Sequence, residues 1–306
     1  MLLAGLASVA SAGWAQSSRP AQASTHAAGL RNSDWQHAVA HAVAVAPEAR
    51  VLVLEIGSGR LLASTHLAEA GRSLATPGST LKPLILYYAL STGRWDADRR
   101  IACSRQMHIG SHQLNCTHPA AEPMDAEQAL TWSCNSYFAE LAGILEPEEL
   151  HKALSARGLL AATGLTPEES VAAFRQPRSR EEVQLAALGV EGIRVTLPEL
   201  AEAYRSLDIE LAANAETAAA RTVRWGLADS ASFGMAGAAA LGGVPIAGKT
   251  GTASAESGGA SHGWFVGLVP AELPQVVVAV YLPRGHGSDA AQVAASLLAV
   301  SPLRKP

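Results

Sequence analysis

Pro77-Gly78-Ser79-Thr80-Leu81-Lys82-Pro83 is the stretch on which the reading of this chain turns. Pro77-Gly78 interrupts the chain just before Ser79, and Pro83 is tolerated only in the first turn of a helix, where its missing N–H costs little. Ser79 is therefore placed at a helix N-terminus, where free N–H groups and the peptide dipoles favour developing negative charge. Residues three apart on a helix share a face, so Ser79 Oγ and Lys82 Nζ can meet. A serine hydroxyl is a weak nucleophile until a base takes its proton. Lysine serves as that base when burial or a nearby cation lowers its pKa. Taken alone, the pair also fits a capping serine beside a solvated lysine. The apolar run Pro83-Leu84-Ile85-Leu86-Tyr87-Tyr88 after Lys82 argues against that simpler reading.

Two further polar clusters extend the pattern. Ser133-Cys134-Asn135 sets two short polar side chains two residues apart, able to enter one cleft from a turn while Cys134 points away. Ser133 can relay a proton between Lys82 and a leaving group, and Asn135 can bind a peptide carbonyl. A helix N-cap is the competing reading of Ser133. Lys249-Thr250-Gly251-Thr252 lies in a predicted strand. Lys249 supplies positive charge, expected to lower the Lys82 pKa and attract a carboxylate that Thr250 hydrogen-bonds. Gly251 leaves room for a substrate backbone along the strand edge. The N–H groups of Thr252 and Ser79 are candidates for an oxyanion hole.

Taken together, the three clusters follow the order known for serine enzymes that bind penicillin. The chain resembles the transpeptidase domain of high-molecular-weight penicillin-binding proteins over nearly all of residues 48 to 300. The segments around Ser79, Ser133-Cys134-Asn135-Ser136-Tyr137-Phe138, Val195-Thr196-Leu197-Pro198-Glu199-Leu200-Ala201, Gly248 to Ala253 and Gly263-Trp264-Phe265-Val266-Gly267 carry the resemblance. It implies a DD-peptidase/β-lactamase-like α/β (α+β) fold, with an antiparallel sheet flanked by helices and an inserted all-helical lobe. It also implies a Ser79 acyl-enzyme with peptidoglycan stem peptides or β-lactams, and no cofactor. Serine D,D-transpeptidase or D,D-carboxypeptidase is the expected activity. The alternatives are a serine β-lactamase and a β-lactam- or peptidoglycan-binding sensor or scaffold. Class A β-lactamases hold a Glu-x-x-x-Asn for the deacylating water. None of Glu146, Glu148, Glu149, Glu168, Glu169, Glu181 and Glu182 has an Asn four residues on, and Glu210 with Asn214 comes late for that loop. A pedestal or glycosyltransferase domain has no room, and no transmembrane anchor is read, so no division or elongation role follows. Cell-wall assembly proteins are the class of protein partner expected.

The order of elements agrees with this plan. A helix from Ser33 to Val45 opens on a capping-box pattern, and Val51 to Ile56 with Leu61 to Thr65 reads as a hairpin. Asp125, Thr166 and Thr196 each stand three residues before Glu or Gln, predicting three helix starts. Three strand runs follow Gly242 (Val244 to Ala253, Gly263 to Val269, Gln275 to Leu282), and Asp289 to Val300 reads as a closing helix. Hairpin and strands can share a sheet only if the helical middle is an insertion. Residues 33–306 are thus expected to form one catalytic domain, with 33–72 and 238–300 as a sheet lobe and 79–237 as a helical lobe.

Composition limits the remaining possibilities. An apolar content of 48% in 306 residues suits a globular chain with a proper core. A net charge of -4 without runs of like charge disfavours nucleic acid as a partner. Residues 1–15 read as a signal peptide, with an apolar run from Leu2 to Ala10, and 16–32 as a flexible spacer, so an exported, periplasmic or extracytoplasmic address is expected. In an oxidising compartment Cys103 and Cys116 are expected to lie close enough to pair, leaving Cys134 buried and unpaired. A zinc reading would draw on Cys103, His108, His112, Cys116 and His118. Their spacing matches no common zinc pattern, so no metal is expected.

Overall fold

The computed structural model describes residues 31–119, 122–254 and 259–304. The expected signal peptide and most of the spacer lie outside the described residues. The chain begins with α1 (Asn32–Val45), the hairpin β1 (Arg50–Glu55) and β2 (Leu61–Thr65), and α2 (Leu67–Arg72). A single 3-10 turn, Gly78–Leu81, leads into α3 (Lys82–Ser91). The middle holds β3 (Gln106–Ile109), β4 (His112–Asn115), α4 (Ala126–Thr131), α5 (Asn135–Ala142), α6 (Pro147–Ser155), β5 (Ala173–Phe174), α7 (Arg180–Ala187), β6 (Ile193–Arg194), α8 (Leu197–Ala213) and α9 (Ala218–Ser232). The chain then returns through β7 (Ala247–Ser254), β8 (Ser261–Val269) and β9 (Val276–Leu282) to α10 (Gly287–Leu298).

The distant hairpin and the three late strands do form one antiparallel sheet, in the order β2-β1-β9-β8-β7. Arg50 pairs with Tyr281 and Glu55 with Val276, so β1 lies along the whole of β9. Strands β8 and β9 are buried almost throughout, as strands covered on both faces must be. The run Val276 to Val280 supplies branched side chains that pack both layers. Helices α1 and α10 pack on each other and on the sheet, as expected of the two terminal helices. Helix α8 packs on β1, β8 and β9 through Leu200, Tyr204 and Leu207, and so builds the second layer.

Four expectations need correcting. The insert is not all-helical, because β3–β4 and β5–β6 form two small ribbons within it. Helix α8, assigned by sequence order to the helical lobe, lies against the sheet. Its apolar side chains share one buried cluster with Leu52, Leu54 and Val277. Asp125 and Thr196 form the expected capping boxes, but Thr166 opens no helix. Glu169 turns instead to the Thr163 and Gly164 N–H groups at 2.7 and 2.8 Å. The Ser33 box also fails. Gln36 exchanges hydrogen bonds with the backbone of Ser64 on β2, and the helix starts at Asn32.

The turn bearing Ser79 is held from three sides. Trp264 Nε1 and His262 Nε2, both from β8, reach the Thr76 carbonyl at 2.9 and 2.8 Å. Tyr204 of α8 donates to the Thr80 carbonyl at 2.8 Å. Gly78 N donates to Gly189 O at 3.0 Å. Gly189 has a φ of +68°, and a Cβ there would stand 2.3 Å from the Gly78 carbonyl oxygen. Gly189→Ala therefore combines left-handed strain with a backbone clash. It is expected to cost at least about 2 kcal/mol in urea unfolding. Gly57→Ala, where a Cβ meets nothing within 4 Å, should leave the midpoint nearly unmoved.

Candidate active site

Ser79 is the second residue of the 3-10 turn and is half-buried. Lys82 begins α3 with Pro83 in its first turn, as the sequence required. One turn therefore carries Ser79 and Lys82, the candidate nucleophile and base, together. Lys82 is fully buried, and its ammonium donates to Ser133 O at 2.7 Å, Asn135 Oδ1 at 2.7 Å and Ser133 Oγ at 3.2 Å. Those three bonds exhaust its N–H groups.

Lys249 reaches the same hydroxyl from the sheet. It is fully buried on β7 and donates to Ser133 Oγ at 2.8 Å and to Thr250 O at 3.1 Å. Ser133 Oγ is thus the junction between the helical lobe and strand β7. Ser133 does not cap a helix. It precedes α5 in the left-handed region with a φ of 55°, while Cys134 occupies the N-cap position without a side-chain bond. That backbone state is costly for a residue with a Cβ. Asn135, the first residue of α5, ties the junction outward by donating from Nδ2 to Asn115 O at the end of β4, 2.9 Å away.

Both lysine pKa values are pushed down. Burial lowers Lys82 to about 8, and the three cysteines behind it pull weakly the other way. Burial lowers Lys249 well below the lysine range, and the charge on Lys82 lowers it further. Desolvation, rather than the charge on Lys249, is thus the main cause of the Lys82 shift. Two ammonium groups sharing one hydroxyl in a dry site do not both stay charged near neutral pH; the deeper depression at Lys249 makes it the first to lose its proton, and Lys82 follows near pH 8. Once Lys82 is neutral, it has a lone pair and one fewer N–H to place. Ser133 O–H can then donate to it while accepting from Lys249.

Strand β7 forms an edge of the sheet. Lys249 and Gly251 share one face by the strand's alternation, and Thr250 and Thr252 share the other. A Cβ on Gly251 would lie 2.5 Å from Pro77 O and 2.8 Å from the Thr80 side chain, so only glycine lets the nucleophile turn pack here. A Cβ on Gly78 would lie 3.2 Å from Thr252 N, which puts that peptide beside Ser79. Thr250 Oγ1 is 3.4 Å from Met235 O, and Thr252 Oγ1 accepts from Gly287 N at 2.8 Å. The structure therefore brings together Ser79, Lys82, Ser133, Asn135, Lys249, Gly251 and the Thr252 peptide.

Sequence reasoning missed the cleft beside them. It has a volume of about 950 Å³ and lies between β4, the β5–β6 ribbon and the end of β7. It does not take in Ser79 itself but joins the nucleophile turn through Thr252. Its wall carries Arg175 paired to Glu191 at 2.6 Å, with His112 3.4 Å from the same carboxylate. No motif marks these residues, because ribbons distant in sequence bring them together.

All three cysteines are free; Cys134 is buried and unpaired as expected, and Cys103 and Cys116 lie close to each other without a disulfide. The ligand atoms of Cys103, Cys116, Cys134 and His118 lie within 4.8 Å of one another. The hairpin β3–β4 carries Cys116 beneath the Ser133 turn, so all three sulfurs converge. His108 and His112 are not part of the group.

Residues 67–299 match the penicillin binding protein transpeptidase domain. The chain belongs to that family. It is 26% identical over 255 residues to proteins named "Probable peptidoglycan D,D-transpeptidase PenA" from Neisseria gonorrhoeae and Neisseria meningitidis. The match covers 75% of this chain and 44% of each relative, so it spans under half the relatives' length. Among solved structures, the apo transpeptidase domain of Burkholderia pseudomallei penicillin-binding protein 3 aligns with a TM-score of 0.79 at 21% identity, covering 90% of this chain and 98% of that one. The D,D-transpeptidase domain of a peptidoglycan glycosyltransferase from Eggerthella lenta aligns at 0.71 and 23% identity, covering 88% and 80%. These two establish the shared fold.

The left-handed backbone at Ser133 yields a test independent of catalysis. Ser133→Gly and Ser133→Ala both delete the hydroxyl, but only glycine accepts a φ of 55° without strain. Chemical denaturation should find the glycine variant more stable than the alanine variant by about 1 kcal/mol.

Proposed function

We propose that this protein is a serine D,D-transpeptidase of peptidoglycan stem peptides, working through a Ser79 acyl-enzyme that β-lactams also form. The observation that carries this reading is the Ser133 hydroxyl bridging two buried lysines, Lys82 and Lys249, one turn from Ser79 and beside an open strand edge.

In the proposed reaction, the substrate lies along β7 with its terminal carboxylate toward Lys249, Thr250 and Thr252. Neutral Lys82 takes the Ser79 proton as Oγ bonds to the penultimate carbonyl carbon. The developing oxyanion faces the N–H groups of Ser79 and Thr252. As the carbon–nitrogen bond breaks, the departing D-alanine amine takes a proton from Ser133, which is re-supplied from Lys82. A second stem-peptide amine then attacks the ester by the reverse route. Water in its place would make the enzyme a carboxypeptidase. Asn135 positions both Lys82 and the substrate amide. An exported, extracytoplasmic location belongs to the same proposal, as do partner proteins of cell-wall assembly.

A specific observation disfavours a β-lactamase of the class A kind. Several of the carboxylates available for a deacylating water are engaged elsewhere. Glu149 holds Arg94 at 2.9 Å, Glu168 holds Arg72 at 3.0 Å, and Glu182 accepts from Arg178 N at 2.7 Å. Glu210 holds Arg157 at 3.0 Å, and Asn214 Nδ2 is bonded to the Glu210 carbonyl at 2.9 Å.

Intact-mass spectrometry after penicillin treatment should find one long-lived adduct, absent in Ser79→Ala. Lys82→Ala should lose acylation almost as completely, by several orders of magnitude, while the fold survives. Lys249→Ala should slow acylation and weaken carboxylate binding together. In the wild type, acylation should rise with pH through about 8, since only the neutral form of Lys82 accepts a proton. Rapid turnover of penicillin would instead support a β-lactamase. Absence of both adduct and hydrolysis would favour a binding scaffold. Product analysis with a stem peptide and an acceptor amine separates transpeptidase from carboxypeptidase.

A further inference from the structure

Three thiols and an imidazole converge behind the catalytic turn, and the proposed chemistry uses none of them. Cys116, Cys134 and His118 are buried, and Cys103 is half-buried. All four ligand atoms lie within 4.8 Å of one another, and Cys103 Sγ is 3.4 Å from His118 Nε2. Zinc–sulfur bonds of about 2.3 Å and zinc–nitrogen bonds of about 2.0 Å, set tetrahedrally, place ligand atoms roughly 3.5 to 3.8 Å apart. The Cys103–His118 pair already has about that spacing, and the remaining ligand atoms lie within 4.8 Å of it.

The surroundings also suit a metal. His118 Nδ1 lies 2.7 Å from the Pro119 carbonyl and 3.3 Å from Arg105 Nη1, and with the proton on Nδ1 the Nε2 lone pair faces the sulfurs. Asn135 N–H donates to Cys116 Sγ at 3.2 Å and Arg105 N–H to Cys103 Sγ at 3.4 Å. The Ser136 hydroxyl lies 3.7 Å from Cys103 Sγ. Backbone donors of this kind steady thiolates. A disulfide would engage only two of the three sulfurs and leave the aim of the imidazole without a purpose.

We propose that Cys103, Cys116, His118 and Cys134 bind one zinc ion as a closed, four-coordinate structural site that fixes the catalytic turn. A set of three sulfurs and one nitrogen selects zinc over magnesium or calcium, and leaves no open position for a substrate. Binding releases the protons of the three thiols to solvent. Zinc with three thiolates and a neutral imidazole carries one net negative charge.

The ligands come from three separate stretches of chain. Cys103 precedes the β3–β4 ribbon, Cys116 and His118 follow it, and Cys134 stands between Ser133 and Asn135. The ion would therefore hold Ser133 in its left-handed state and pin the ribbon that walls the substrate cleft. The Asn135–Asn115 bond already joins the same two parts. Cys134 is thus a positioning residue that acts through its neighbours.

The test is metal content, read independently of activity. Full-length protein purified without chelator should carry about one zinc per chain by mass spectrometry of the metal. Ser79→Ala and His108→Ala should retain it, whereas Cys116→Ser and His118→Ala should lose it. Should those variants fail to fold, wild-type protein stripped by chelator and titrated with Co²⁺ should show the intense visible and thiolate charge-transfer bands of a tetrahedral sulfur site. Stripping should also lower the melting temperature and slow penicillin acylation at least about tenfold, with both restored by Zn²⁺. No zinc and no cobalt–thiolate band would overturn the site, as would zinc persisting in folded ligand variants. A single free thiol in unreduced, denatured protein would overturn it too, because a disulfide would then occupy the place. Acylation unchanged in stripped protein would overturn the positioning role. Full metal content in a protein that forms no penicillin adduct would reject the acyl-enzyme reading and leave the zinc site standing.

Discussion

Two lysines excluded from water must each find polar partners, and in this protein they find the same one. Lys82 comes from the helical insert and Lys249 from the edge of the sheet, and both end on the hydroxyl of Ser133. An unpartnered buried ammonium is costly enough to shed its proton. The shared hydroxyl therefore does more than decorate a cleft. It sets where the insert rests against β7, while burial of the site lowers the basicity of Lys82. The left-handed backbone at Ser133 presents both its Oγ and its carbonyl oxygen to Lys82.

The nucleophile turn is positioned by similar economy. It receives bonds from β8 through His262 and Trp264, from α8 through Tyr204, and from Gly189 at the end of the α7 segment. Each bond contributes only about 1 kcal/mol to stability. Together they remove the freedom of Ser79 relative to β7, which is what attack on a strand-bound carbonyl needs. Glycines appear where backbones touch. Gly78, Gly189 and Gly251 each face another main chain at distances that leave no space for a Cβ.

Behind this front lies the cysteine and histidine cluster, which ties the catalytic turn to the ribbon walling the cleft. A metal there would make the left-handed Ser133 a property of a rigid staple rather than of loop packing alone. Substrate groove, proton relay and metal ligands would then form one mechanical unit, with Asn115 to Asn135 as its short link.

The sequence by itself determined what depends on near neighbours. Ser79 and Lys82 share one turn of the chain because they are three apart beside a proline that can sit only in a first turn. The strand carrying Lys249 follows from its apolar neighbours and glycines, and the closing of one sheet from two chain ends follows from where the strand signals fall. Tertiary structure alone decided the rest, because it rests on contacts between distant segments. Lys249 meets Ser133 across 116 positions. Helix α8 lies on the sheet because that face needs a cover, which its own periodicity does not reveal. Thr166 had the letters of a capping box, yet Glu169 found nearer donors at Thr163 and Gly164. Spacing along the chain hid the metal-like cluster, since Cys134 joins Cys103, Cys116 and His118 only after the β3–β4 ribbon folds beneath the catalytic turn. Burial of that turn then fixes which way every sulfur points.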